Sequence, residues 1–434
     1  MPFRVVERPG FLKLMKKAAP LYKVPKRKYF SKTVIPRMCN EVKADMTTKL
    51  TQGSWFAATT DIWTSSGGGG EPYLSFTIHF VSEQWKLESI CLETVLFPDD
   101  HTADNITEMM ENILEEWNIK QDQVVCVTSD NASNMQKAFK DFADLWLGCF
   151  GHNLNLAITK VMKIRRVEDA VRACRHTIQG FTRSWKRKRL FKSKQVILGL
   201  PEKSLIHDVV TRWGSTFVML ERFLSQQQAV SAALAGERGA WHLMPKDQHI
   251  TVMEQVCDLL RPLNVFTDAL ASEKRVTLSA IKPVLVHIKS QILQPADGDQ
   301  PLVREMKSLM RSDLDTRYSE EAERVMDIAC FLDPRFKGDF AEDLDGTINS
   351  CVDEALKHST SVGDRNRRPQ PTASASASSN TTSSTTTPRP GTPVTIINLI
   401  INYLTNPFAI ILSIMMIVYS GNKVQLHILS QLFE

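Results

Sequence analysis

Residues 72–81, PYLSFTIHFV, place Leu74, Phe76, Ile78 and Phe80 at every second position. Period two marks a half-buried strand. The segment WKLESICLETVLF after it reads as an antiparallel partner, joined through SEQ at 82–84. Before the pair, SWFAATTD (54–61) is a short apolar strand ending at Asp61. Ile106, Met109, Met110, Ile113, Leu114 and Trp117 then recur at helical spacing, with Asp104 and Glu108 near the positive end of that helix. QVVCVTSD (123–130) is a continuous apolar run of the kind buried on both faces of a parallel sheet, and it too stops at an acid, Asp130. A last strand is expected around LWLGCF. The order is strand, strand, strand, helix, strand, helix, strand: an α/β class.

Residues 1–50 read as helical and basic, and KVPKRK (Lys23 to Lys28) is either a nuclear-import patch or a solvated loop. From about 216 to 333 the period is helical throughout. Residues 359–394 are rich in Ser, Thr and Pro, the composition of a disordered linker. TIINLIINYLTNPFAIILSIMMIVY (395–419) carries no charge and has the length of a bilayer span, but three Asn and a Pro interrupt it and no basic cluster flanks it. The predicted divisions are 1–50, 51–198, 199–358, 359–394 and 395–434.

With 434 residues, 43% of them hydrophobic, the chain can bury a large core in more than one domain. Its eight Cys are scattered singly, with no C-x-x-C pair, which gives neither a disulfide framework nor a zinc ribbon. A net charge of +5 means little unless it is clustered, and here it is. Seven of the twelve residues 183–194 are Lys or Arg: Arg183, Lys186, Arg187, Lys188, Arg189, Lys192 and Lys194. Trp185 and Phe191 lie among them. The run is either a solvated helix face or a surface for phosphate contact and base stacking.

Asp61 and Asp130 raise the question of catalysis. If the fourth strand pairs with the first, both acids leave the same end of neighbouring strands. Two adjacent carboxylates repel unless a divalent cation sits between them, and Mg²⁺ or Mn²⁺ would suit such oxygen donors. The alternative is that both simply cap strand ends.

TTDIWTS, EPYLSFTIHF, HTADNI, VTSDNASNM, CFGHNLNLAI, TRWGST and FLDPRFK, in this order, resemble the hAT transposase superfamily and the BED-type zinc finger proteins derived from it. The resemblance covers about residues 1–345. It implies an RNase H-like domain, with a mixed five-stranded sheet and flanking helices, interrupted by an α-helical insertion. It makes Asp61 and Asp130 the first two acids of the DDE triad and the metal ligands, and Cys149 and His152 the C-x-x-H motif. Arg212 and Trp213 become the Arg-Trp pair at the insertion's entry, whose Trp steadies a flipped base. Cys149 and His152 give only two ligands, fewer than a closed zinc site needs.

The chain departs from the family in three places. Gly67 to Gly70 lengthen a loop and precede no helix, so they do not cradle phosphate. The family's BED finger is not found within residues 1–434, and the region expected to carry the third acid and the dimerisation surface reads as replaced by the uncharged tail, Glu434 having no matching context. The expectation is a nuclear DNA-binding protein, catalytically inactive, acting in transcriptional regulation through DNA, protein partners or self-association. The other expectations are an active metal-dependent transposase and a tail-anchored membrane protein, the latter disfavoured.

Overall fold

The computed structural model describes residues 3–365, apart from 66–68, 83, 85, 141, 211, 238 and 271–277. Its centre is a five-stranded sheet in the order β3-β2-β1-β4-β5. Strands β1 (Phe56–Thr64), β2 (Pro72–Val81) and β3 (Leu87–Leu96) form an antiparallel meander. Strands β4 (Val124–Ser129) and β5 (Leu145–Gly148) continue it in parallel from β1. The predicted alternation of β2 holds: Leu74, Phe76, Ile78 and Phe80 are all fully buried. Val124 to Val127 of β4 are buried on both faces, as a strand between covered layers must be.

The N-terminal arm contains α1 (Pro9–Ala18) and a short α2 (Arg27–Tyr29), which runs through a π-helical turn into α3 (Ile35–Leu50). Leu50 is the first fully buried residue, and Lys23, Lys26, Arg27 and Lys28 are all exposed. Deleting residues 1–30 should therefore shift the thermal midpoint by no more than about 2 °C, the scale of surface changes, in a scanning-fluorimetry melt.

Helix α4 (Ala103–Glu116) links β3 to β4. The Thr102 hydroxyl caps it, accepting from the Asn105 backbone N–H at 3.2 Å. Ile106, Met110, Ile113 and Leu114 are buried against the sheet, as their spacing requires. Helix α5 (Ser133–Phe139) crosses from β4 to β5.

After β5 the chain is helical: α6 (Phe150–Met162), α7 (Arg165–Thr182), α8 (Trp185–Ile197), α9 (Trp213–Ala235), α10 (Asp247–Leu270), α11 (Leu278–His287), α12 (Pro301–Leu314), α13 (Glu320–Leu332) and α14 (Leu344–Arg365). Hydrophobic packing groups these residues differently from the division expected at 198/199. One continuous core runs from Phe150 of α6 through Leu314 of α12 to Met326 of α13, and it takes in the basic helix α8. Then α13 returns to the sheet: Ala322, Val325, Ile328 and Ala329 pack on Val125, Cys126, Leu145 and Leu147. The sheet thus recruits a covering helix from far along the sequence, and the helical unit is inserted between them. α14 runs into the segment read as linker, and the remainder of 359–394, with the tail 395–434, lies outside the described residues. Among the described residues, no helix is long and apolar enough to cross a membrane.

Candidate functional site

The structure corrects the position of Asp61. It does not end its strand, because β1 runs on to Thr64, paired with β2 as far as Pro72. What stops is the other neighbour. β4 pairs with β1 through Ala58↔Val127 and Thr59↔Thr128, and ends at Ser129. Continuing that register sets Asp61 beside Asp130, where β4 has given way to a loop. The parallel neighbour's end opens the sheet at that point and leaves Asp61 accessible. The element after the four glycines is the strand β2, which begins at Pro72, and not a helix.

The electrostatics support the pairing. Burial holds the Asp61 carboxyl above the usual carboxylate range although one side meets solvent, and the nearby Asp130 adds to the rise. The Ile62 backbone, His152 and Arg212 pull in the opposite direction. Three of the predicted residues, Asp130, His152 and Arg212, therefore act on the carboxyl of a fourth, Asp61. Asp130 is fixed by its own loop, its Oδ1 accepting from the Ala132 backbone N–H at 3.1 Å. Cys149 joins β5 to α6: its N–H donates to the Ser129 carbonyl at 2.8 Å, and its carbonyl accepts from Asn153 N–H at 2.9 Å. His152, half-buried, follows in the first turn of α6.

These donors fit a hard divalent cation. A carboxylate crowded by a second one, as Asp61 is by Asp130, is relieved by a shared positive charge, and oxygen donors suit Mg²⁺ or Mn²⁺. Among the described residues, no group of three or more His, Cys, Asp or Glu gathers where it could hold a metal. A cation here would rest on Asp61 and Asp130 and complete its shell with water or phosphate oxygen. The sign of the Asp61 shift gives a prediction. A raised folded-state pKa means a stability penalty that is full above that pKa and gone below the unfolded value of about 3.9. Asp61→Asn should therefore slightly raise the melting temperature of metal-free protein at pH 7, and the gain should vanish in acid. Mg²⁺ should stabilise the wild type by mass action but not the Asp61→Asn, Asp130→Asn double variant.

Arg212 is exposed at the N-cap of α9, close enough for its charge to reach Asp61. Trp213, by contrast, is only 7% exposed and belongs to the helical core with Phe217 and Leu220. In this arrangement its indole packs the insertion and presents no face to a base. The segment leading to the pair is anchored by Asp208, which accepts from Arg175 Nη2 at 2.6 Å, Arg175 Nε at 3.0 Å and Thr216 Oγ1 at 2.8 Å.

Sequence reasoning missed a buried polar layer behind Asp130. Asn131 Nδ2 donates to Asn153 Oδ1. Tyr318 stands beside Asn153, its phenol pushed up to about 12 chiefly by burial. Gly148 is needed here, because a side chain on it would overlap Asn131 Oδ1. The sequence signal was available: Asn131 and Asn153 each directly follow a motif residue, Asp130 and His152.

The basic run forms α8, capped by the Ser184 hydroxyl, which accepts from Arg187 N–H at 3.3 Å. Arg187 does not belong to the free cationic surface. Its guanidinium grips Glu237 through Nε at 2.9 Å and Nη2 at 2.8 Å, and Nη1 donates to the Gly180 carbonyl at 3.1 Å. Lys192 pairs with Glu202 at 2.9 Å on the open surface. Phe191 is 6% exposed and meets Phe181 edge to face, so it cannot stack on a base. Lys194 is half-buried. What remains is Arg183, Lys186, Lys188 and Arg189, exposed and without an ion pair among the described residues, beside a Trp185 that is 77% exposed.

Comparison with known proteins agrees with this architecture. Residues 59–147 match the ZBED1 RNase-like domain, 147–259 the ZBED1 RNase-like helical domain, and 283–358 the hAT-like transposase RNase-H fold. The last match takes in α12 and also α13, the helix that returns to the sheet. Among curated proteins, the human zinc finger BED domain-containing protein 4 is 26% identical over 399 residues, covering 84% of this chain and 33% of that protein. The rice zinc finger BED domain-containing protein RICESLEEPER 2 is 22% identical over 379 residues, 84% of this chain and 51% of its own length. A putative AC transposase of maize is 24% identical over 354 residues, 77% of this chain and 43% of that protein. The chain thus spans between a third and about half of these relatives.

Proposed function

The chain belongs to the hAT transposase-derived BED zinc finger proteins, and from that premise we propose that it is a nuclear DNA-binding protein that holds duplex through the exposed face of α8. The observation that carries this reading is the set of exposed cations Lys186, Lys188 and Arg189 on α8, with Arg183 at the C-cap of α7 just before it, none of them in an ion pair among the described residues and no acid among them in the sequence. Such a face contacts phosphates and releases counterions, so it binds with little regard to sequence. A regulatory role through DNA and protein partners follows more naturally than strand transfer.

The acid pair then serves as a cation site beside the DNA. A bound Mg²⁺ or Mn²⁺ would supply charge stabilisation to a phosphate oxygen. The residues of this chain hold that cation and tune it: Asp61 and Asp130 are the ligands, Asp130 set by its loop, and Arg212 offsets their charge. Two carboxylates can position one cation, and a second cation for the leaving oxygen needs a further one. Strand cleavage, the second reading, is favoured by one observation: Asp130, His152 and Arg212 all act on the Asp61 carboxyl.

Titration of labelled duplexes of unrelated sequence tests the proposal. Affinities should agree within about tenfold, and log affinity should fall linearly with log salt. Absence of duplex binding at low salt would overturn it.

A further inference from the structure

A cavity of about 310 Å³ lies between α8 and the extended segment 200–205 that follows it. Its lining includes the buried apolar side chains Phe181, Phe191 and Leu205. It also includes Trp185 and the cations Lys188, Arg189, Lys192 and Lys203. One acid, Glu202, lies among them and already pairs with Lys192. The volume is at the small end of ligand pockets, which start at roughly 300 Å³. That is room for a single nucleotide and far too little for a stacked base pair.

We propose that this cavity receives one unpaired nucleotide, its base against Trp185 and its phosphate among Lys188, Arg189 and Lys203. The inference rests on the DNA-binding reading of α8 and deepens it: the same helix reads duplex phosphates along its face and an exposed base at its pocket. Three observations point to this occupant rather than to an acidic peptide. Trp185 is 77% exposed on a cationic helix, where an indole without a partner exposes apolar area to water. Its ring offers a π-face to any base, and the neighbouring cations offer the charge a nucleotide phosphate needs. The cations would serve a carboxylate as well as a phosphate, but the buried apolar lining and the exposed indole suit a flat ring, which an acidic side chain lacks. A base stacked in a duplex cannot enter, so the site favours single strands, flaps and melted ends.

The test compares a labelled thymidylate dodecamer with a short blunt duplex, by fluorescence anisotropy at fixed low salt, on wild type, Trp185→Ala and Trp185→Phe. Trp185 is mostly solvent-exposed, so both variants should fold, which circular dichroism checks. Trp185→Ala should weaken the single strand about tenfold, the value of one stacked base, and the duplex less than about twofold. Trp185→Phe should keep most of the single-strand affinity. Equal losses on both nucleic acids, or none, would overturn the inference and leave duplex binding by α8 standing. So would an acidic peptide that displaced the oligonucleotide as well as unlabelled thymidylate does. Failure of the wild type to bind either nucleic acid would remove the DNA-binding reading itself.

Discussion

Changing Lys186, Lys188 and Arg189 together to alanine should weaken duplex binding by roughly 10²–10³ near 0.1 M salt and flatten the salt plot by about three units of slope. Each is exposed on α8 and makes no ion pair among the described residues, although the charge of Lys186 also reaches Glu237. Each phosphate contact contributes about 0.9 to the slope of log affinity against log salt, so three lost contacts give both numbers. Arg187→Ala should behave differently. Its charge is already committed to Glu237, so the variant should lose stability while leaving the salt slope nearly unchanged. The contrast separates a phosphate-binding face from a merely basic helix. A slope that falls as much with Arg187→Ala as with each of the other three would show that the ion pair opens on binding.

Asp208→Ala should destabilise the helical insertion toward the lower end of the roughly 3–5 kcal/mol that follows from breaking a buried ion pair. The Asp208 side chain is 2% exposed and accepts from Arg175 and Thr216, while Arg175 keeps partial access to water. Burial alone would push the Asp208 carboxyl up, but the hydrogen bonds from Arg175 and Thr216 outweigh it, and the net shift is down. A depressed carboxylate pKa contributes stability above the unfolded value of about 3.9, lost as pH falls through the folded value. Wild type and variant should therefore differ most near neutral pH and converge in acid. Because Asp208 anchors the segment that presents Arg212, whose positive charge competes with a cation for Asp61, the variant should also increase any Mg²⁺-induced stabilisation. A urea titration at pH 7 and in acid, with and without Mg²⁺, reads all three effects.

Much of the sheet was legible because its signals are local. The alternation of β2, the apolar run of β4 and the helical spacing of α4 each depend on neighbours within a few residues. The adjacency of Asp61 and Asp130 followed from the order of those elements. The details that escaped are all set by residues far away in sequence. β1 outruns Asp61 because β2 keeps pairing after β4 has ended. Arg187 reads as a free cation until the fold brings Glu237, fifty positions on, against it. Trp213 and Phe191 carry the aromatic chemistry a nucleic-acid site needs, yet the helical core claims both. Asn131, Asn153 and Tyr318 form one polar layer only after α6 and the chain before α13 close behind β4. Periodicity locates elements; it does not say which charged or aromatic side chains the tertiary packing will consume.

The most direct test is a supercoiled plasmid incubated with this chain and Mg²⁺ or Mn²⁺, read on one gel for both mobility shift and nicking over hours. The account predicts a salt-sensitive shift with the plasmid still supercoiled after the protein is stripped off. Loss of one comparable electrostatic group costs enzymes about 10²–10³ in rate, and two carboxylates leave the leaving oxygen without its cation. No shift at low salt, or metal-dependent nicking that disappears with Asp61→Asn and Asp130→Asn, would contradict it.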